Sequence, residues 1–361
     1  VPDVHWNEAG RELSAGWRSP EPPPSRLVAA DDTTRADTAH RLAREGVALV
    51  WRGDFHNARQ LLRALARRAD RQPPPADFHA YRQARARKAV LLGRLLVPLS
   101  EELTVPLRRA PDVRRACLEA YGPAEGPTLV PLTELLGVIG AHEWRRKGVA
   151  VPALGARIHP HYGVFSPVRG EYVDLVARAP LPARTAAFDI GTGTGVLAAL
   201  LARRGVERVV ATDLDERAVA CARDNLSRLG LSGRVEVARR DLFPEGRAPL
   251  VVCNPPWLPV RPGTRRDQAV YDPEGRMLRG FLGELTHHLE PDGEGWLILS
   301  DLAEHLGLRS RQELLTSFAE AGLRVAGRLD IAPRHPRARD GADPLHRARA
   351  AEVTSLWRLK R

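Results

Sequence analysis

Cysteine is scarce, with three in 361 residues. Cys117, Cys221 and Cys253 stand far apart, form no CxxC and are odd in number, which excludes a disulfide framework. A reducing cytosol is the natural home for such a chain. Lysine is equally rare, at Lys88, Lys147 and Lys360 only, so arginine carries the formal net charge of +11. The shortage of lysine, beside much Ala, Gly and Pro, reads as a compositional bias, yet the charge still attracts polyanions. A well-solvated surface and a nucleic-acid or ribosome partner account for it equally. No stretch approaches the roughly 20 apolar residues of a membrane span, so no membrane partner is expected. The opening "VPDVHWNEAG" is polar and acidic, shows no signal-peptide pattern and lacks Met, and is read as a trimmed or processed start.

What is present supports a packed core: 43% hydrophobic and 27% charged residues. The length allows two or three domains. Residues 1–33 hold "SPEPPPS" and "AADDTT" and read as a Pro-rich arm. From 34 to 147 the pattern is helical. In "DFHNARQLLRALARRADRQ", Asp54 is a plausible N-cap, and Phe55, Ala58, Leu61, Leu62 and Leu65 share one face. "PPPA" at 73–76 ends that helix, and Asp77 caps the next. "APDVRRACLEAYG" and "TLVPLTELLGVIGAHEW" supply two more, so this part is expected to be an all-helical substrate-recognition domain. Residues 148–184 read as a connector, a β-hairpin followed by the short helix "VRGEYVDLVARA".

From 185 to 361 short strands alternate with helices of 10–15 residues, the signature of a mostly parallel, doubly wound α/β sheet. The last two strands have no helix between them and are expected to pair antiparallel across "PRHPRARDGADPLHRARA". "FDIGTGTG" (188–195) joins the first strand to its helix; its glycines let the backbone turn sharply and let a ligand approach the helix N-terminus. A dinucleotide fingerprint starting at Gly191 would end on Val196, so the fit to NAD is poor. Asp213, ending the second strand, can accept two ribose hydroxyls. Asp241, ending the third in "RRDLF", can accept from an exocyclic amine, with Leu242 and Phe243 flanking an adenine ring. Ligands of open α/β sheets bind beyond the carboxyl ends of the strands, where all these residues lie.

"FDIGTGTG", "ATDLD", "RRDLF" and "NPPW", in that order, make the chain from about 155 to 361 resemble class I S-adenosylmethionine-dependent methyltransferases of the Asn-Pro-Pro-aromatic, N-methylating type. It is similar both to release-factor glutamine methyltransferases and to base N-methyltransferases of rRNA and tRNA. The resemblance implies a Rossmann-like sheet of seven strands in the order 3-2-1-4-5-7-6, strand 7 antiparallel, and S-adenosylmethionine as cofactor. The implied cofactor residues are Asp189, Gly191, Thr192, Gly193, Gly195, Asp213, Leu214, Asp241, Leu242 and Phe243. Phe165 and Arg169 fall in the segment this family lays over the cofactor; a packed hairpin accounts for them equally. Asp272 and Gly275 fall where the glutamine enzymes carry a similar Asp/Gly segment.

The implied catalytic residues are Asn254, Pro255, Pro256 and Trp257. A nitrogen conjugated to a π system is a poor nucleophile, because its lone pair is delocalised. The Asn254 side-chain oxygen and the Pro255 carbonyl can accept its two N–H groups and turn the lone pair outward. The prolines stiffen the loop and bring no competing N–H. Trp257, where Tyr or Phe is commoner, can stack on a planar amide or base and stabilise developing positive charge.

His159 and His161 have no Cys or carboxylate cluster near them in sequence and are read as structural, with no metal site. Cys253 is read as buried strand. The substrate expected first is a protein glutamine side chain. An exocyclic base nitrogen of RNA or DNA (guanine N2 or adenine N6) is the alternative, and a small molecule or a non-catalytic scaffold role remains open. The partner is thus a macromolecule, protein or RNA, with ribosome association open, and the location is cytoplasmic.

Overall fold

Alternation governs the first strand: in "DVHWNE", Val4 and Trp6 are buried while their neighbours face solvent. The computed structural model describes residues 2–71, 75–261, 271–334 and 340–361. They form two compact units, Val1–Glu143 and Trp144–Arg361.

The first unit differs from the all-helical domain and Pro-rich arm expected. It contains a six-stranded sheet. β1 (Asp3–Glu8) and β2 (Arg11–Trp17) form a hairpin. Ala9 and Gly10 turn it at φ +50° and +79°, the backbone a tight two-residue hairpin demands. β3 (Arg26–Ala30), α1 (Ala36–Arg44), β4 (Val47–Trp51), α2 (Phe55–Ala69), α3 (Phe78–Leu92) and β5 (Leu95–Leu99) follow. α4 (Arg114–Tyr121), β6 (Thr128–Pro131) and α5 (Leu132–Lys147) complete the series. The sheet order is β1-β2-β6-β5-β4-β3. The reason for the difference is length: "RLVAA", "VALVW", "LLVPL" and "TLVP" are apolar runs of four or five, too short for a helix and the right size for a buried strand. Asp54 and Asp77 do cap α2 and α3, accepting from His56 N at 2.8 Å and Ala80 N at 2.7 Å. Of "PPPA", residues 73 and 74 lie outside the described residues.

The second unit takes up the chain within the last turn of α5 and continues with the antiparallel hairpin β7 (Val149–Val151) and β8 (Ala156–Ile158), then α6 (Glu171–Arg178). The alternating part runs β9 (Ala186–Ile190), α7 (Val196–Arg203), β10 (Arg208–Asp213), α8 (Glu216–Arg228), β11 (Val235–Arg239), β12 (Ala248–Cys253), α9 (Arg276–His288) and β13 (Leu289–Ser300). It continues with α10 (Leu302–His305), α11 (Arg311–Glu320), β14 (Arg324–Ile331), α12 (His346–Ala351) and β15 (Thr354–Lys360). The sheet order is β11-β10-β9-β12-β13-β15-β14. The first five strands pair parallel, and β15 pairs antiparallel with both its neighbours.

Both faces of this sheet are covered, which is why "APLVVC" is apolar throughout rather than alternating. Leu250 and Val252 join one core with α6, α7 and α8, while Val251 and Cys253 join the other with α9 and α11. The 148–184 segment is part of this unit: Val151, Ile158, Tyr172 and Val176 lie in the same core as α7. Of the loop 333–350, residues 335–339 lie outside the described residues, as do 269–270 of "AVYDPEGRMLRGFL".

Candidate active site

Strand register assembles the site. Cys253 pairs with Ile190, and Ile190 pairs with Thr212. Asn254, Gly191 and Asp213 each follow one of those residues, so three sequence-distant segments emerge side by side at the carboxyl edge of the sheet. Asp213 itself pairs with Arg239, two residues before Asp241.

The glycine loop is held from below by Asp189. Its buried carboxylate accepts from Thr192 Oγ1 at 2.6 Å and from Ala198 N, in the first turn of α7, at 3.0 Å. Burial raises its pKa to about 6 against the pull of those two donors. Asp189 and the buried Thr192 therefore organise the loop rather than face the edge, unlike the ligand-contacting role expected of them. Gly191, Gly193 and Gly195 all have positive φ, +71°, +56° and +80°. A Cβ at Gly191 would collide with Met277 Cε, and one at Gly195 would come 3.2 Å from Ala222 Cα; at Gly193 it would meet nothing within 4 Å. The loop thus keeps open space above Gly193 and close packing on either side of it.

Asp213 stands at that opening. Gly193 N donates to Oδ2 at 3.0 Å and Asp215 N to Oδ1 at 2.9 Å, and burial raises its pKa. Each oxygen keeps a lone pair for a further donor. Leu214 beside it is 51% exposed.

The third segment departs from expectation. Asp241 Oδ2 accepts from Arg276 Nη2 at 2.6 Å, so a cation already holds this carboxylate. Leu242, at φ +71°, is pinned by Thr212 Oγ1 donating to its carbonyl at 2.5 Å. That turn sends Phe243 into the core, stacked on His288 (centroids 4.4 Å, 7° between planes) and on Phe281. Phe243 therefore does not flank an open ring site; Leu242, half-buried, remains at the edge.

Beyond β12, Asn254 is half-buried and Pro255 buried. Trp257 Nε1 donates to Asn254 Oδ1 at 3.0 Å. An indole N–H can only donate, so the amide oxygen must face it, and Nδ2 points the other way. The half-buried indole also packs against the same core as Leu242 and Met277. Asp272 backs the loop: its N donates to Leu258 O at 2.8 Å, while its buried carboxylate accepts from Met277 N and Leu278 N and starts α9. Gly275 precedes α9 at φ +70°.

Phe165 is 41% exposed, and Arg169 pairs at 3.4 Å with the buried Glu352, which also accepts from Ser300 Oγ at 2.6 Å. Arg169 is thus a tie to the segment before β15 rather than a cation facing a cofactor carboxylate. His161 Nε2 lies 3.1 Å from Asp224, and His159 Nδ1 2.6 Å from Arg145 O. Burial raises all three cysteine thiols, Cys117 to about 11 and Cys221 to about 12.

Sequence reasoning missed Arg276, Met277 and the bond from Trp257 to Asn254. It also missed Arg309, on the loop after α10, whose buried Nε and Nη2 have no hydrogen-bond partner among the described residues. A cation two residues before a helix has no distinguishing pattern, so no sequence signal marked it.

A family described as the methyltransferase small domain matches residues 155–321. Over 117 residues the chain is 37% identical to a ribosomal protein L11 methyltransferase of Sorangium cellulosum, covering 32% of this chain and 31% of that one. It is 33% identical to a release factor glutamine methyltransferase of Cereibacter sphaeroides, covering 45% and 58%. It is 30% identical to a tRNA1(Val) (adenine(37)-N6)-methyltransferase of Shewanella amazonensis, covering 44% of this chain and 75% of that one. Of the first three curated relatives the chain spans 31%, 22% and 58% of their own length. Among solved structures, a methyltransferase from Pyrococcus furiosus is 19% identical with a TM-score of 0.42, covering 62% of this chain and 97% of that chain.

Proposed function

The chain belongs to the methyltransferase small-domain family, and from that premise we propose that it methylates a planar, conjugated nitrogen in a macromolecule, with S-adenosylmethionine as donor. The observation that carries the reading is the side-by-side emergence of the glycine loop, Asp213 and Asn254 from adjacent parallel strands. The seven-strand order, with β15 antiparallel, agrees with it.

The edge suits this donor. Asp213, fixed by two backbone N–H groups, has one lone pair per oxygen for the ribose hydroxyls, and the space above Gly193 admits the ligand. When bound, the donor supplies an electrophilic methyl on a cationic sulfur. Asn254 Oδ1 spends one lone pair on Trp257 and keeps the other for an acceptor N–H. The Pro255 carbonyl takes the second N–H. So held, the nitrogen would face the donor's methyl with its lone pair, and on accepting it would release one N–H proton to water. The π face of Trp257 stabilises the transient cation.

Among macromolecular acceptors, an exocyclic base nitrogen of RNA is favoured. Two relatives of whose length this chain covers 75% and 66% are named tRNA adenine-N6 methyltransferases. A glutamine amide is the second reading, supported by 33% identity to a release factor glutamine methyltransferase. Incubating the chain with tritiated S-adenosylmethionine and a cell lysate, then splitting the product by nuclease and by protease, separates them. Nuclease-released label supports the base, and protease-released label the amide. Label in neither, or label that survives Asn254→Ala, overturns the catalytic assignment.

A further inference from the structure

α2 and α3, which pack side by side, carry seven arginines and a lysine in thirty residues and no Asp or Glu. Residues 1–143 hold 21 basic and 18 acidic residues. Without these two helices the balance there is 13 to 18, so positive charge is gathered on them while the rest of the unit is acidic. On α2 the arrangement is regular. Arg59, Arg63 and Arg67 recur every fourth residue on the face opposite Phe55, Ala58, Leu61, Leu62 and Leu65. All three are exposed, and among the described residues none has an ion pair or side-chain hydrogen bond.

Like charges at this spacing oppose the helix that bears them, so folding alone gives no reason for the row. α3 adds a second anomaly. Of its fifteen residues only Phe78 is buried, although protein helices draw most of their stability from a packed face. Tyr81 stacks on Phe78 and lies under Arg85, with the guanidinium carbon 5.8 Å from the ring centroid.

We propose that the α2–α3 face of residues 1–143 is a docking surface for the phosphate backbone of RNA, with the row Arg59, Arg63 and Arg67 contacting one strand. Successive arginines on this row lie about 6 Å apart along the helix axis, a regular line of positive charge along which a polyanionic backbone can lie. Guanidinium suits bidentate phosphate recognition. A lipid surface fits less well, because among the described residues of the two helices Val90 of α3 is the one strongly exposed large apolar side chain, too little for insertion. An irregular acidic peptide gives no reason for one-signed regularity. The inference rests on the RNA reading of the active site.

The test is binding of the full chain, without cofactor, to a mixed-sequence 30-nucleotide RNA across a salt series. The triple variant Arg59→Gln, Arg63→Gln, Arg67→Gln is compared with a control triple, Arg41→Gln, Arg114→Gln, Arg115→Gln, whose cations already have carboxylate partners. The row variant is expected to bind at least about tenfold more weakly, with the slope of log K against log salt reduced by about 2, the value for three contacts to a single strand. The control is expected to keep the wild-type slope, and unchanged melting curves certify both folds. Equal loss in the control, no loss in the row variant, or tighter binding of the wild type to poly-glutamate or anionic vesicles overturns the proposal. Asn254→Ala separates the two claims. RNA bound normally by that variant, with no label ever passing to RNA from the wild type, leaves the surface standing and removes the RNA reading of the active site.

Discussion

At the scale of single residues, the donor-only indole of Trp257 makes a specific demand. If its bond to Asn254 holds the amide for the acceptor, Trp257→Phe keeps an aromatic face but frees the amide. The loss of one neutral hydrogen bond is worth about 0.5–1.5 kcal/mol, so kcat is expected to fall up to about tenfold with cofactor affinity unchanged. A raised KM with kcat intact would assign the indole to substrate stacking and remove its positioning role. Asp189 makes a second demand. Its folded pKa of about 6 lies above the ordinary 3.8, so its contribution is complete below about pH 4 and is lost as pH rises through 6. The loss is roughly 3 kcal/mol from 1.36 kcal/mol per unit, and Asp213, also raised, adds to it. Asp54 and Asp112, held to about 2 chiefly by hydrogen bonds from Arg109 and Arg114, have exhausted their gain by pH 5. The urea midpoint is therefore expected to fall between pH 5 and 7, and Asp189→Asn to flatten that fall; an unaltered slope in the variant removes the assignment. The placement of Asn254, Asp213 and the glycines at the carboxyl edge was legible in sequence because strand ends announce themselves. Phe243 was not, because the left-handed turn at Leu242 reverses where the next side chain points.

At the scale of elements, legibility followed length and capping. α2 and α3 were readable from Asp54 and Asp77, and α9 and β12 from their apolar pattern. The strands of the first unit were not, because runs as short as "VALVW" and "TLVP" carry no period and are separated by unmistakable helices. "DVHWNE" did alternate, but the prolines that follow β2 dominated its reading. Contact between elements sets a further expectation. Gly195 starts α7 at φ +80°, and its Cβ would press on Ala222 of α8 at 3.2 Å; Gly230 ends α8 at φ +69° with nothing within 4 Å. Alanine at either site bears the left-handed penalty of about 1–2 kcal/mol. Gly195→Ala should cost at least about 1 kcal/mol more, since α8 must also shift. Equal denaturation midpoints for the two variants would mean that the α7–α8 approach tolerates a methyl group.

At the scale of the whole molecule, the residues proposed for the cofactor and the arginine row proposed for docking belong to different compact units. Every residue placed at the carboxyl edge lies within Trp144–Arg361, and the sheet of residues 1–143 contributes none of them. Two units of this kind give no reason for all-or-none unfolding, and a ligand stabilises only the part that binds it. S-adenosylhomocysteine at 100 times its Kd is therefore expected to stabilise the second unit by about 2.7 kcal/mol. Amide exchange can locate the effect. Peptides spanning 186–214 and 248–258 should gain protection in proportion to ligand, while peptides from β4 and β5 should exchange as before. Equal protection across both sets would mean that the chain opens as one cooperative body, and cofactor binding would then be felt at the arginine row.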